Sequence, residues 1–326
     1  MRDFAIALST ALVVAAATTV SAQETRVFDV SLPLGPESHQ AVGVLKFGEE
    51  LDRLSEGRLT IRPHYDNALG AEREVVEGMG FGLIDMGITS TGPMGGFVDD
   101  FMLFDLPYIF NNHEQVYTFM DGPHGDALAA KLETDANVKI LGWMENGFRH
   151  NTNNVRALNT PDDLKGIRHR TQESRVQVDT WTALGADASP MAWTEVFTAL
   201  QQGVIDSQEN PLATIYDVKF YEVQKYLNLT QHVYSPAPLM MGAQLFTSLS
   251  EADQAIVEEA AALAVPVQRE ASQKMEQELI SQLAELGMTV TEPDLDAFRE
   301  KVQPVIEKWK DTVGPDLIAA ATQPPA

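Results

Sequence analysis

Three side chains in this sequence have the type and setting to grip an anion. Arg149 follows Trp143 and Gly147, Arg170 ends the stretch Ile167 to Arg170, and Asn210 lies in Gln208-Glu209-Asn210-Pro211, directly after Val204-Ile205-Asp206. A guanidinium is a planar fork of donors that fits a carboxylate with two parallel hydrogen bonds, where lysine offers only a point charge. An arginine also has a plainer use, a surface ion pair that contributes little. Trp193 is similarly open: it reads as a flat platform for a ligand or as ordinary core. Signatures of catalysis are missing. There is no GxSxG, HExxH, P-loop or GxGxxG, and the glycines at 78, 80 and 82 do not fit the last. The seven histidines are scattered without ligand spacing and read as satisfied surface or strand residues, so no metal site is expected. No cofactor is indicated.

The elements that must hold these residues alternate along the chain. Val27 to Leu32, Leu59 to Ile61, Leu83 to Ile88 and Val138 to Trp143 read as strands, separated by segments with apolar residues at helical spacing such as Val44, Phe47, Leu51 and Leu54. In the second half Ile167 to Arg170 reads as a strand, and Ser174 to Gln177 as a capping box opening a helix with Val178, Trp181 and Leu184 on one side. Around Met191 a strand ends, Thr194 caps the next helix, and Gly203 closes it. Val204-Ile205-Asp206 then enters a short buried strand that Gln208 to Pro211 leaves. Ser248 to Leu286 is mostly one helical pattern with a kink expected at Pro266, and Asp294 to Thr312 is a last helix with a kink at Pro304. Strands alternating with helices predict an α/β layer architecture with a largely parallel sheet.

Composition narrows the setting. The chain of 326 residues has 47 acidic against 23 basic side chains, a formal net charge of -24, which argues against nucleic acid as a partner. It has no cysteine, which excludes thiolate metal sites and cysteine nucleophiles. Met1-Arg2, the apolar run Phe4 to Ala17 and the small residues up to Ala22 have the anatomy of a secretory signal peptide, residues 1–22, cleaved after Ala22. The expected address is the periplasm.

Longer motifs carry a resemblance. Ser189-Pro190-Met191-Ala192-Trp193-Thr194-Glu195-Val196-Phe197 running on to Gln208-Glu209-Asn210-Pro211, then Lys219 to Tyr226, resembles the solute-binding subunit of tripartite ATP-independent periplasmic (TRAP) transporters, the DctP family of extracytoplasmic solute receptors. Asn67 to Arg73, Leu106-Pro107-Tyr108, Gly147-Phe148-Arg149 and Pro161 to Arg170 agree in order, so the likeness covers essentially the whole mature chain. It implies a two-lobe, Venus-flytrap α/β binding protein with a long helix spanning both lobes. Lobe I would comprise 23–147 and 236–275, lobe II 148–235 and 276–322, and 323–326 a disordered tail. The resemblance further implies that the lobes close over a small organic acid, a C4-dicarboxylate or a sugar acid, and pass it to small and large membrane permease subunits of the DctQ and DctM type.

By position within those motifs, the resemblance makes Arg170 the main carboxylate-binding residue, Arg149 a second ligand-site arginine, Asn210 a carboxylate contact and Trp193 an aromatic packed on the ligand. Glu72, Arg73 and Glu173 fall where the cleft varies with substrate, and His39 and Ser90, in the Thr89 to Thr91 loop, are further first-lobe candidates. Ser207 departs from the glycine usual before Gln208. A monomer is expected, with no enzymatic activity. Two other readings stay open: a ligand sensor for a membrane receptor, and an exported enzyme acting on acidic sugars.

Overall fold

The structure, a computed structural model, describes residues 25–323. The signal-peptide expectation, and the tail beyond Gln323, lie outside the described residues. In chain order the elements are β1 (Arg26–Ser31), α1 (His39–Leu54), β2 (Leu59–His64), α2 (Glu72–Gly80), β3 (Met86–Ile88), α3 (His113–Met120), α4 (Pro123–Ala136) and β4 (Val138–Asn153). Then follow β5 (Arg168–Thr171), α5 (Arg175–Leu184), β6 (Asp187–Pro190), α6 (Trp193–Gln201), β7 (Ser207–Pro211), α7 (Leu212–Asp217) and β8 (Tyr226–Gly242). The chain ends with α8 (Ala243–Ser248), α9 (Glu251–Glu285), β9 (Thr289–Thr291), α10 (Leu295–Val313) and α11 (Pro315–Ala321). Local chemistry starts several helices: Ser38, Asn112, Ser174, Ser250 and Asp294 each accept a backbone N–H of the first turn that follows.

One sheet runs through the molecule in the order β2-β1-β3-β8-β4-β7-β5-β6, with β9 added beside β8. Its centre is the antiparallel pair β4 and β8, which are far longer than the other strands. Near the start of β4 and the end of β8 the neighbours are the parallel strands β1 and β2 with β3. Towards the other end of the pair they are β7, β5 and β6 on one side and β9 on the other. Two structural halves therefore share two continuous strands, whose register shifts between Glu145 and Gly147 and again between Arg149 and Asn151. Gly147 sits there with φ +113°, a backbone region that side chains with a Cβ avoid.

Separate apolar cores flank the shared strands. Phe28, Val44, Phe47 and Leu239 pack with Val257, Ala260 and Ala264 of α9 in one. Val196, Leu200, Ile215 and Leu227 pack with Leu279 and Leu283 of the same helix in another. The α9 helix thus runs from one core to the other, and it continues through Pro266 without ending. A third cluster joins Phe101, Phe104 and Trp143 to Val305, Trp309 and Val313 of α10, so a C-terminal helix packs on residues from the first part of the chain.

Four local expectations are corrected. The polar run Ser207 to Pro211 does not leave a strand; it is β7, hydrogen-bonded to β4 on one side and β5 on the other. Helix α6 begins after Ala192 with no side-chain cap, so Thr194 lies inside it. Ser174 caps α5, but Gln177 Oε1 accepts from Gln172 N, so the reciprocal half of the box is missing. The third strand is shorter than read, because Leu83 lies in an exposed turn and pairing begins at Met86.

Candidate functional site

Arg170 and Arg149 are both buried, and they differ in what neutralises them. Arg149 lies on β4 opposite Pro211 of β7, which brings its guanidinium onto the neighbouring strand. Its Nε donates to Glu209 Oε2 at 2.5 Å and its Nη2 to Glu209 Oε1 at 2.8 Å, with a further bond of 3.2 Å to Asn210 Oδ1. His232 Nε2 lies 3.1 Å from the same carboxylate. The Arg149 cation and nearby donors overcome burial and hold the Glu209 carboxyl far below the usual carboxylate range. This is an ion pair, as the plainer reading of Arg149 had it, but an interior one.

Arg170 has no such partner. Its Nε and Nη2 both donate to the Met191 carbonyl, at 2.9 and 2.7 Å, and its Nη1 has no hydrogen-bond partner within the protein. Its guanidinium carbon lies 6.0 Å from the centroid of the Trp193 ring. Burial lowers its affinity for its own proton to a pKa of about 10. A buried cation with one unused donor edge is costly unless an anion meets it.

The space beside Trp193 is a small cavity of about 20 Å³, room for roughly one water molecule. Both halves of the molecule line it. Pro33, Leu34, Gln40, Glu72 and Ser90 precede the shared strands; Asn146 lies on β4; Gln172, Trp193, Asn210 and Thr214 come from the second half. Bonds cross between the halves at its wall. Trp193 Nε1 donates to Pro33 O at 3.3 Å, and Gln172 Nε2 donates to Ser90 Oγ at 2.6 Å. Glu72 Oε1 accepts from Ser90 N at 2.7 Å and Ser90 Oγ at 2.8 Å, while burial raises its carboxyl pKa.

Of the residues singled out in the sequence, Glu72, Ser90, Trp193 and Asn210 line this one cavity, Arg170 lies beside the Trp193 ring, and Arg149 donates to Asn210. The others lie elsewhere. His39 is buried behind the wall, 3.1 Å from Asn146 Oδ1. Arg73 is turned outward on α2, paired with Glu77 and lying over the Phe97 ring. Glu173 is exposed and lines a separate surface groove with Ser174, Arg175 and Glu195. Gln40, Asn146, Gln172 and Thr214 escaped the sequence reading. Asn146 stands directly before the Gly147-Phe148-Arg149 motif and Gln172 two residues after Arg170, so proximity to a motif was the available signal.

His150, His169 and His232 are strand residues, as read, and buried; His39, buried on α1, is neither surface nor strand. Burial lowers His39 to about 4 and His150 and His169 to about 3, and keeps His232 below its ordinary value despite Glu209 beside it. Asp105, held by Ser174 and Gln177, is pushed up to about 7 by burial. The signs oppose. Between pH ~6.5 and 4 an unfolded chain protonates imidazoles that the folded chain keeps neutral, so stability falls with falling pH. Asp105 acts the other way, since the folded state keeps a carboxyl proton that the unfolded chain has released, and burial shifts Glu72 in the same direction. The lowered histidines outnumber these carboxyls, and unfolding near pH 5.5 is expected to take up protons on balance. Urea titrations at pH 5, 5.5 and 6 read this directly as the slope of stability against pH. A flat or inverted slope would contradict the neutral buried histidines.

A two-half α/β molecule with a small, polar, cation-backed cavity between the halves defines the class of an extracytoplasmic solute receptor. Residues 31–312 match the family described as bacterial extracellular solute-binding protein, family 7 (DctP), and the chain belongs to that family, the solute-binding proteins of TRAP transporters. A solute-binding protein of Verminephrobacter eiseniae is 38% identical over 297 residues, covering 91% of this chain and 88% of the relative. A crystal structure of a TRAP periplasmic solute-binding protein from Polaromonas, bound to D-erythronate, superposes with a TM-score of 0.90 at 38% identity, covering 93% of this chain and all (100%) of that one. A second, from Bordetella with density assigned to pantoate, gives 0.89 at 37% identity, covering 92% and 99%. Members of this family receive small acids outside the cytoplasm and work with membrane permeases.

Proposed function

We propose that this protein captures a small organic acid in the cavity beside Trp193, with Arg170 as the carboxylate clamp, and hands it to a small and a large permease subunit of the DctQ and DctM type. The observation that carries the reading is Arg170: a buried guanidinium whose Nη1 has no partner and whose other donors reach only a carbonyl. An incoming carboxylate supplies the missing charge and acceptors, and the pair strengthens as the halves exclude water. In this reading 23–147 with 236–275 and 148–235 with 276–322 are the lobes, and β4, β8 and α9 connect them. The acids found in the two solved relatives, D-erythronate and density assigned to pantoate, support a hydroxy-acid cargo. The protein works as a periplasmic monomer after cleavage behind Ala22, and binds without turnover.

A ligand that binds only the folded chain stabilises it by about 2.7 kcal/mol at a hundredfold excess over Kd. A thermal-shift screen of aldonates, uronates, hydroxy acids and C4-dicarboxylates is therefore expected to yield a clear rise in Tm for at least one acid. Chromatography of that acid after prolonged incubation should return it unchanged. No shift across all four classes would sink the carboxylate reading, and a new product would replace the binder with an enzyme.

A further inference from the structure

Family membership leaves open which kind of acid the cavity takes, and the charges around it are specific. Two buried arginines stand near it, but Glu209 already neutralises Arg149. Arg170 is left as the cation for the ligand. Among the described residues, the one charged side chain in the cavity wall itself is acidic, Glu72.

Glu72 is also fixed in place as an acceptor. Both of its bonds from Ser90 fall on Oε1, and neither uses Oε2. Ser90 in turn accepts from Gln172 of the opposite half, which links the Glu72 carboxylate to both halves. Gln40, another wall residue, has a buried Oε1 with no hydrogen-bond partner. Away from Arg170 the wall thus presents oxygen acceptors seeking donors. Hydroxyl groups satisfy them; a second carboxylate brings only acceptors and a charge that faces Glu72.

Resting on the carboxylate reading above, we propose that the cavity selects a hydroxylated monocarboxylate and rejects dicarboxylates, with Glu72 as the discriminating residue. Rejection by a like charge is specificity built from an unfavourable contact, and it leaves the Arg170 clamp untouched.

The test uses four-carbon acids matched in length: D-erythronate as the hydroxylated monoacid, succinate and L-malate as the diacids. Calorimetry at pH 7.5 on the wild-type chain is expected to show erythronate bound at least about 100-fold more tightly than either diacid. In Glu72→Gln the preference should shrink at least about tenfold, through weaker erythronate binding, stronger malate binding or both. Circular dichroism and Tm of that variant verify its fold, and Glu72→Asp, which keeps the charge on a shorter arm, should retain most of the preference. Diacids binding the wild type as tightly as erythronate, and losing it in Arg170→Ala, would overturn this inference while leaving the clamp standing. An unchanged preference in a folded Glu72→Gln would overturn the role of Glu72. If none of the three acids binds, and the wider acid screen is also negative, the carboxylate reading falls and this inference falls with it.

Discussion

Arg170→Ala is expected to weaken binding of the cognate acid by about 3–5 kcal/mol, the range for removing one partner of a buried, hydrogen-bonded charge pair. That is a loss of two to three and a half powers of ten in Kd at about 1.4 kcal/mol per decade. The same change should not destabilise the ligand-free protein. Without ligand, Arg170 is a desolvated cation whose donors reach one carbonyl, Met191 O, and whose Nη1 reaches nothing. Arg170→Met, which keeps the length and drops the charge, removes that burden and should leave Tm unchanged or higher. Arg170→Lys tests geometry: the charge survives, the fork does not, and most of the affinity should go. Isothermal calorimetry with the acid found by thermal shift, paired with melting curves in its absence, reads both halves of the expectation. Unaltered affinity in Arg170→Ala would remove the clamp, and a steep fall in ligand-free Tm in Arg170→Met would make Arg170 a structural residue instead.

The contrast between the two arginines also shows where sequence reading stops. Alternating periodicities were enough for the α/β class, and motif likeness brought Glu72, Ser90, Trp193 and Asn210 to one cavity across more than a hundred residues of chain. The same likeness placed Arg73 and Glu173 at the cleft, yet one is paired outward with Glu77 and the other is exposed. Adjacent residues on a helix point about 100° apart, and with Glu72 facing the cavity Arg73 is directed towards Glu77 and Phe97. Sequence spacing also could not reveal that β7 is a strand, because the signal used was apolar alternation and Ser207 to Pro211 is polar throughout. The burial is tolerated because the neighbours are polar too: Asn151, Thr152 and His169 hydrogen-bond to Ser207 and Gln208. Strand β8 was illegible for another reason. Pro236 and Pro238, opposite Glu145 and Trp143, argue against a central strand in any reading from composition.

Glu209 shows that polar interior from the side of stability. Glu209→Gln is expected to destabilise the folded chain by about 3–5 kcal/mol, because it preserves shape and one acceptor but strands the Arg149 cation in the interior. Arg149 and Glu209 are fully buried, on adjacent central strands, and joined by two side-chain bonds with a third from Arg149 Nη2 to Glu209 O. His232 loses its anionic neighbour in the same substitution. Urea unfolding measures the loss, which should appear as a lower midpoint at unchanged m. A double-mutant cycle then separates the pair from its surroundings: Arg149→Met with Glu209→Leu removes both charges and should recover a large part of the loss. The effect on the site follows from the geometry. Arg149 Nη2 holds Asn210 Oδ1, and Asn210 lines the cavity, so the double variant is expected to fold better than Glu209→Gln and still bind the acid less well than wild type. A double variant with full affinity would show that Arg149 serves the fold alone. One with neither affinity nor recovered stability would show that the charges hold the central strands in register, a use that packed apolar side chains do not replace.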